Sequence, residues 1–218
     1  MQPAPAPDFR ALILAHGHHL KEAVDTLRHA PEHWQTTLLI ELAGENLINC
    51  FELADPNNGI NAGRLAWAAR NLLELHYFTR YVIESEKKAK RFREDMLVDY
   101  RTLLDRLAKN PAYKEHLVAG QAIIDHVFTH HAERVKAKTP VLSARAIAEQ
   151  YGEEMHYGDS HKFLSKFAHP TSLSIQIRKA NPIVEAVIIP SILEIALRLI
   201  ADTFPRLAGR IREVSVHS

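Results

Sequence analysis

The sequence has few of the residues that mark disulfide-bonded, zinc-binding or all-β proteins. Its 218 residues include a single cysteine, Cys50, which excludes an internal disulfide framework and a four-cysteine zinc site. Eight glycines are few for an all-β domain, which needs many tight turns. Charge of one sign is also lacking, since 27 Lys and Arg face 26 Asp and Glu and leave a net charge of +1. The composition therefore provides no global basic field for nucleic acid.

Long uncharged apolar runs are absent as well. The most apolar stretch, residues 183–201, is interrupted by a proline and by charged residues, namely Glu185, Pro190, Glu194 and Arg198. It is therefore predicted to be a buried helix, and no membrane partner is expected. The N-terminal segment MQPAPAPDFR has neither the basic nor the apolar region of a secretory signal, so a cytoplasmic location is expected. Its alternating Pro and Ala predict a flexible tail over residues 1–7.

The rest of the chain predicts helix nearly everywhere, because apolar residues recur every three or four positions. The predicted helices span residues 8–29, 32–54, 61–110, 112–138, 143–151, 159–168 and 182–203, with a tail helix after Pro205. The third is either one very long helix or two helices joined near residues 85–90. We predict an all-α fold, an irregular bundle of about six to eight helices with one long central helix, forming a single domain over residues 8–218.

Polar residues among leucines provide the first functional signal. Glu41 and Glu45 lie one turn apart at the border of the apolar face of the second helix. Acids in that position need cationic partners, or else they form a solvated stripe. Arg70 and Glu74 lie one turn apart on the third helix, and Tyr77 continues the same side. We predict that Arg70 pairs with Glu74 and with one of the second-helix carboxylates.

A second polar element lies in the segment Lys162-Phe-Leu-Ser165-Lys-Phe-Ala-His169-Pro170. Ser165 and His169 share a helical face, and Pro170 ends the helix just after the histidine, which favours a capping or inter-helix contact for His169. No glycine-bearing elbow precedes Ser165, so serine hydrolysis is disfavoured. With R-x3-E at Arg70 and Glu74, this S-x3-H-P element resembles an uncharacterised bacterial all-helical domain family. That resemblance implies a shared helical fold and a shared polar cluster, without an assigned activity.

A second resemblance rests on the string Arg70-Asn-x4-His76-Tyr77, which is similar to the R-x4–6-H motif of HEPN ribonucleases. The resemblance implies a helical, dimeric enzyme that cleaves RNA without a metal. Arg70 would stabilise the phosphate in the transition state, and His76 would transfer a proton. Six residues place the two side chains about 120° apart around a regular helix, so they do not share a face.

Metal binding is a third hypothesis. The His126–His130 pair has the spacing of two imidazole ligands on one helical face, but it lacks an evident third ligand. Another set would join Glu41, Glu45, Glu74 and His169, although the paired Glu-x-x-His motifs of di-iron bundles are missing. The basic run 87–93 is flanked by acids and is interpreted as a solvated helix segment. We therefore expect no native metal site and no cofactor.

The leading functional expectation is a helical binding or scaffold module with a polar cluster of Arg, Glu and His. A HEPN-like ribonuclease, with RNA as partner, is the alternative, and a carboxylate–histidine metal bundle ranks third. A homodimer is expected because the segment 183–200 is apolar on nearly every side, and one bundle core seldom covers every face of a helix.

Overall fold

The computed structural model describes residues 8–27, 33–58, 61–107, 109, 142–169 and 183–216. These residues form seven α-helices: α1 Phe9–Asp25, α2 Trp34–Ala54, α3 Ala62–Glu84, α4 Glu86–Leu107, α5 Ala144–Gln150, α6 Glu154–Ala168 and α7 Ile189–Val216. No strand occurs within them, so the predicted all-α bundle is confirmed. None of the helices in these ranges is both long and apolar enough to cross a membrane. The expected tail and the expected helix over residues 112–138 lie outside the described residues.

Contacts group the chain into two compact units. The first comprises Met1–Ile83 with Ala144–Ser218, and the second comprises Glu84–Ser143. The single domain expected over residues 8–218 stays a prediction.

The core of the first unit forms where α7 packs against α1 and α2, which also pack against each other. Its largest fully buried side chains include Ile13, Leu20, Leu53, Ile200 and Phe204. The buried residues of α2 include Leu38, Leu42, Asn46 and Leu53, whereas Ile48 is 61% exposed. The stripe that contains Ile48 is therefore the solvent face of α2.

Local sequence signals set several helix ends. The Asp8 carboxylate accepts hydrogen bonds from the backbone N–H groups of Arg10 and Ala11, at 3.1 Å each, and so caps α1 as predicted. The segment after α2 turns through a short 3-10 helix at Pro56–Asn58. The long third helix is interrupted at Ser85, where α3 ends and α4 begins, so the two-helix alternative is confirmed.

The C-terminal helix differs from its prediction. α7 continues for 28 residues with Pro205 inside it, so the separate tail helix expected after Pro205 is wrong. Burial on both sides of the proline explains this, because Phe204 and Leu207 both belong to the core. A π-helical turn, Val184–Ile188, precedes Pro190 and widens the backbone where the proline ring would crowd the preceding turn. The longest described helix is thus α7 rather than the third helix.

Within the second unit, α4 carries the basic run 87–93. Lys88 pairs with Glu84 at 2.5 Å, and Arg91 pairs with Asp95 at 3.0 Å. Asp95 is buried and accepts the backbone N–H of Leu142 at 3.0 Å. These acidic partners support the interpretation of the run as a neutralised helix segment.

Candidate functional site

The polar residues of α3 meet those of α6 along an antiparallel pairing of the two helices. Gly63, near the start of α3, lies against the carbonyl oxygen of Phe167, near the end of α6, and a Cβ atom there would approach that oxygen to 3.1 Å. Further along, Arg70 contacts His161, and Arg80 contacts Glu153, just before α6. We call the paired residues the polar seam: Arg70, Glu74, Tyr77, Arg80, Glu153, Tyr157 and His161.

Arg70 lies at one end of the polar seam, between a carboxylate and an imidazole. Its Nη2 donates to Glu74 Oε1 at 2.9 Å, and its Nε donates to His161 Nε2 at 3.1 Å. The Glu74 oxygen lies 4.0 Å from the same imidazole nitrogen. The Arg70 side chain is 24% exposed, so this triangle reaches solvent along one edge. A guanidinium has five N–H donors. Two of those on Arg70 are used here, and the other three have no partner among the described residues.

The opposite end of the polar seam is organised by Glu153. Arg80 Nη1 donates to Glu153 Oε1 at 2.6 Å, and the Arg80 guanidinium lies 4.0 Å from the centre of the Tyr151 ring. The hydroxyl of Tyr77, a residue only 1% exposed, also hydrogen-bonds Glu153. Burial raises the pKa of Tyr77, and the adjacent carboxylate adds to that effect. Burial alone would raise the pKa of Glu153, but its bonds to Arg80 and Tyr77 lower it, so it stays a carboxylate.

Aromatic rings connect the two ends. The Tyr157 ring stacks on His161 with 5.4 Å between centroids, and it meets Tyr77 edge-on at 5.5 Å. Such pairs contribute beyond the area they bury and fix ring orientation. The imidazole of His161 is therefore held by Tyr157 on its face and by Arg70 at its Nε2 atom.

His161 is electrically neutral in this arrangement, because Nε2 accepts a hydrogen bond and the ring proton must lie on Nδ1. Desolvation lowers the pKa of His161, and the Arg70 charge and nearby His169 lower it further, while Glu74 opposes them. An arginine thus sits beside an imidazole that stays uncharged near neutrality.

His76 packs edge-on against Tyr77 of the polar seam, with 4.8 Å between the ring centroids, but its hydrogen bond is to another helix. Its Nδ1 hydrogen-bonds Thr203 Oγ1 of α7 at 2.8 Å, and Asp202 lies 3.9 Å away. Burial is the main reason that its pKa is lowered, and the Asp202 charge opposes this shift. Arg70 and His76 therefore contact different helices, and their joint catalytic role stays a prediction.

Ser165 and His169 follow His161 on one stripe of α6, at successive intervals of four residues. The Ser165 hydroxyl is buried and has no hydrogen-bond partner among the residues that the structure describes. His169 is exposed and caps the helix, with its backbone N–H donating to the Ser165 carbonyl at 3.4 Å. A buried hydroxyl without a partner is uncommon in proteins and requires an explanation, such as a bound water or ligand group.

Three of the seven residues of the predicted cluster belong to the polar seam, namely Arg70, Glu74 and Tyr77. The Arg70–Glu74 pair is confirmed. The predicted second partner of Arg70 is wrong, because Glu41 and Glu45 are exposed on the solvent face of α2 and form no ion pair in the described chain. The second contact of Arg70 is with His161 instead. The alternative of a solvated acidic stripe is therefore the correct interpretation of α2.

Sequence reasoning missed four residues of the polar seam: Arg80, Glu153, Tyr157 and His161. The contacts that reveal them span 91 residues in one case and 73 in another, and periodicity does not encode such pairings. One signal was available, since Tyr157 and His161 repeat the four-residue spacing that continues to Ser165 and His169.

No group of three or more His, Cys, Asp or Glu residues within the described ranges is placed to hold a metal ion. The His126–His130 pair lies outside those ranges. Comparisons of the chain with protein-family models, with curated proteins and with solved structures found no match. The two resemblances noted from the sequence therefore stay expectations, and the geometry of the polar seam carries the functional argument.

Proposed function

We propose that this protein is a cytoplasmic helical binding module that holds an oxyanion, such as a carboxylate or a sulfate-like group, at Arg70 of the polar seam. The observation that carries the proposal is the oriented Arg70 guanidinium. Glu74 and His161 fix two of its N–H groups and leave three without a partner in the described chain, at a position that solvent reaches. A fixed arginine fork matches two oxygens of one anion.

His161, the imidazole that contacts Arg70, carries a further donor. With Nε2 of His161 engaged as an acceptor, Nδ1–H of this half-buried ring is a donor. Ser165, whose buried hydroxyl has no partner among the described residues, lies one turn further along the same stripe of α6. Glu74 balances the charge of Arg70, so selectivity depends on oriented N–H donors more than on net charge. We therefore expect the protein to bind oxyanions with modest affinity, and we expect this binding to require Arg70.

The test is calorimetric titration of the protein with sulfate at constant ionic strength. We expect Arg70→Gln to weaken binding about tenfold or more, because hydrogen bonds to a charged group are each worth about 1.5–3 kcal/mol. The matched control is Arg198→Gln. Arg198 also pairs with a glutamate four residues away, Glu194, but it is exposed on α7. Equal affinity in the Arg70 variant and the wild type, or no binding at all, would overturn the proposal.

The lone thiol is consistent with the cytoplasmic part of the proposal. Cys50 is buried and free, and burial raises its pKa to about 12, which keeps it protonated and unreactive.

We also propose that the module is a homodimer. Ile183 is 61% exposed and Val187 is 52% exposed on adjacent turns at the start of the C-terminal helical segment. Exposed apolar side chains that neighbour each other are typical of interaction surfaces. Light scattering should show a dimer that Val187→Lys dissociates, whereas Met155→Lys, at an exposed methionine of α6, should leave it intact. A wild-type monomer contradicts this part of the proposal.

A metal-independent ribonuclease of HEPN-like type remains a second proposal, favoured by one specific contact. Arg70 lies 3.1 Å from a neutral imidazole, the pair that RNA cleavage through the 2′-hydroxyl needs, although the imidazole is that of His161 rather than His76. Single-stranded RNA should then be cleaved in EDTA by the wild type. Cleavage should be lost in Arg70→Ala and His161→Ala and kept in His76→Ala. If His76→Ala also loses RNA cleavage, the proton-transfer role belongs to His76, as the motif implies. If the wild type leaves the RNA intact, the ribonuclease proposal is wrong.

A further inference from the structure

The contact between Arg70 and His161 exists in only one protonation state of the imidazole. Arg70 Nε–H donates to the lone pair of His161 Nε2 across 3.1 Å. A proton added to Nε2 removes that lone pair, because both ring nitrogens of an imidazolium are donors. Two cationic donors would then face each other, and the hydrogen bond would be lost.

An alternative partner for the protonated ring is already in place. Glu74 Oε1, which now accepts from Arg70 Nη2 at 2.9 Å, lies 4.0 Å from His161 Nε2. Closing about 1 Å of that distance would form a charge-assisted hydrogen bond between imidazolium and carboxylate. Arg70 and His161 would thus compete for one carboxylate oxygen, and protonation decides the outcome.

We propose that His161 is a proton-operated gate on the Arg70 site: protonation transfers Glu74 from Arg70 to His161 and releases the arginine to bind an oxyanion. The inference rests on the proposed oxyanion site and specifies its regulation. In the neutral state, the charges of Arg70 and Glu74 cancel. In the protonated state, the same three side chains carry a net charge of +1, and Arg70 recovers the donors that it gave to Glu74 and His161.

The groups around His161 determine whether oxyanion affinity rises or falls with pH, and over which pH range it changes. From α3, Arg70 opposes protonation and Glu74 favours it, while His169 of the same helix opposes it. Tyr157 stacks on the ring and is uncharged, because burial raises its pKa. Desolvation is the largest cause that lowers the pKa of His161, so the gate opens below the ordinary histidine pKa of about 6.5. Oxyanion binding therefore strengthens on acidification.

The experiment measures sulfate affinity by calorimetry from about pH 7.5 to about pH 5.5, where sulfate keeps the same charge. We expect wild-type affinity to rise several-fold, with a ceiling of about tenfold per pH unit for one linked proton. His161→Gln should bind sulfate with an affinity that does not change with pH, because a glutamine oxygen accepts from Arg70 but does not titrate. The matched control is His156→Gln, at an exposed histidine of the same helix, which should keep the wild-type rise.

The possible outcomes distinguish the gate at His161 from the oxyanion site at Arg70. Binding that is constant with pH in the wild type, or a rise that persists in His161→Gln, overturns the gate and leaves the oxyanion site standing. Absence of binding at every pH removes both. A second measurement needs no variant, since linkage requires that an anion which favours the protonated state also raises the pKa of that group. Imidazole NMR of the wild type should show sulfate raising the pKa of His161, and an unchanged pKa refutes the gate.

Discussion

Glu153 supports a sharp prediction about stability, because one carboxylate satisfies a buried hydroxyl and an arginine. Replacing it in Glu153→Ala leaves the Tyr77 hydroxyl without its acceptor in a residue that is 1% exposed. An orphaned buried polar group costs about 1–3 kcal/mol. Arg80 also loses its partner, but it is part-exposed and keeps its contact with Tyr151, so this loss adds at most about 1 kcal/mol. We expect the free energy of unfolding to fall by about 1–4 kcal/mol.

A double-mutant cycle isolates the Tyr77–Glu153 contact. Tyr77→Phe alone should cost about 0.5–1.5 kcal/mol, because Glu153 keeps Arg80 and water as partners. In the double variant no hydroxyl remains to be orphaned, so the combined loss should fall short of the sum by about 1–2 kcal/mol.

The assay is urea unfolding followed by circular dichroism. Glu154→Ala is the matched control, because this neighbouring carboxylate pairs only with the exposed Arg145 in the described chain. It should leave the unfolding midpoint nearly unchanged. Additive losses in the cycle, or equal effects of the two glutamate substitutions, would refute the account of Glu153.

Three further predictions concern other parts of the first unit. Burial lowers the pKa of His76 in the folded protein, so on acidification the histidine is protonated in the unfolded chain before it is protonated in the folded one. The free energy of unfolding should therefore fall as the pH drops below about 6.5, and it should fall less steeply in His76→Asn. Gly17→Ala would place a Cβ atom 2.9 Å from Cys50 Sγ and should destabilise by about 1–3 kcal/mol, whereas the same change in a Cys50→Ala background should be neutral or stabilising, as thermal melts would show. Asp8→Ala removes the α1 cap and should cost about 0.5–2 kcal/mol in urea unfolding, and a smaller loss would mean that the cap is dispensable.

Local signals in the sequence predict the helices well. The Asp8 cap, the break after α2 and the interruption at Ser85 follow from residues next to the feature they determine. Pro205 shows where such signals fail, because its intrinsic cost is outweighed by core residues on both sides. Whether a helix ends or continues at a proline depends on tertiary packing, which cannot be read from a single sequence.

The candidate site was predictable only where its partners are neighbours in the sequence. Arg70 and Glu74 are one turn apart, and their pair was predicted. The contact with His161 depends on how α3 and α6 align, and a chain with 14 histidines offers many equivalent candidates. Glu41 and Glu45 illustrate the opposite case, because acids at the border of an apolar face fit both a buried network and a solvated stripe.

The central claim is that Arg70 binds an oxyanion through its N–H donors, and side-chain NMR of the arginines tests it most directly. Arg70→Lys assigns the Arg70 Nε–H signal, and sulfate is then titrated into the wild type at a pH below about 6.5. The account predicts a saturable shift of the Arg70 signal, while the Arg198 signal moves only with ionic strength. A signal of Arg70 that does not respond to sulfate, or that follows Arg198, would contradict it.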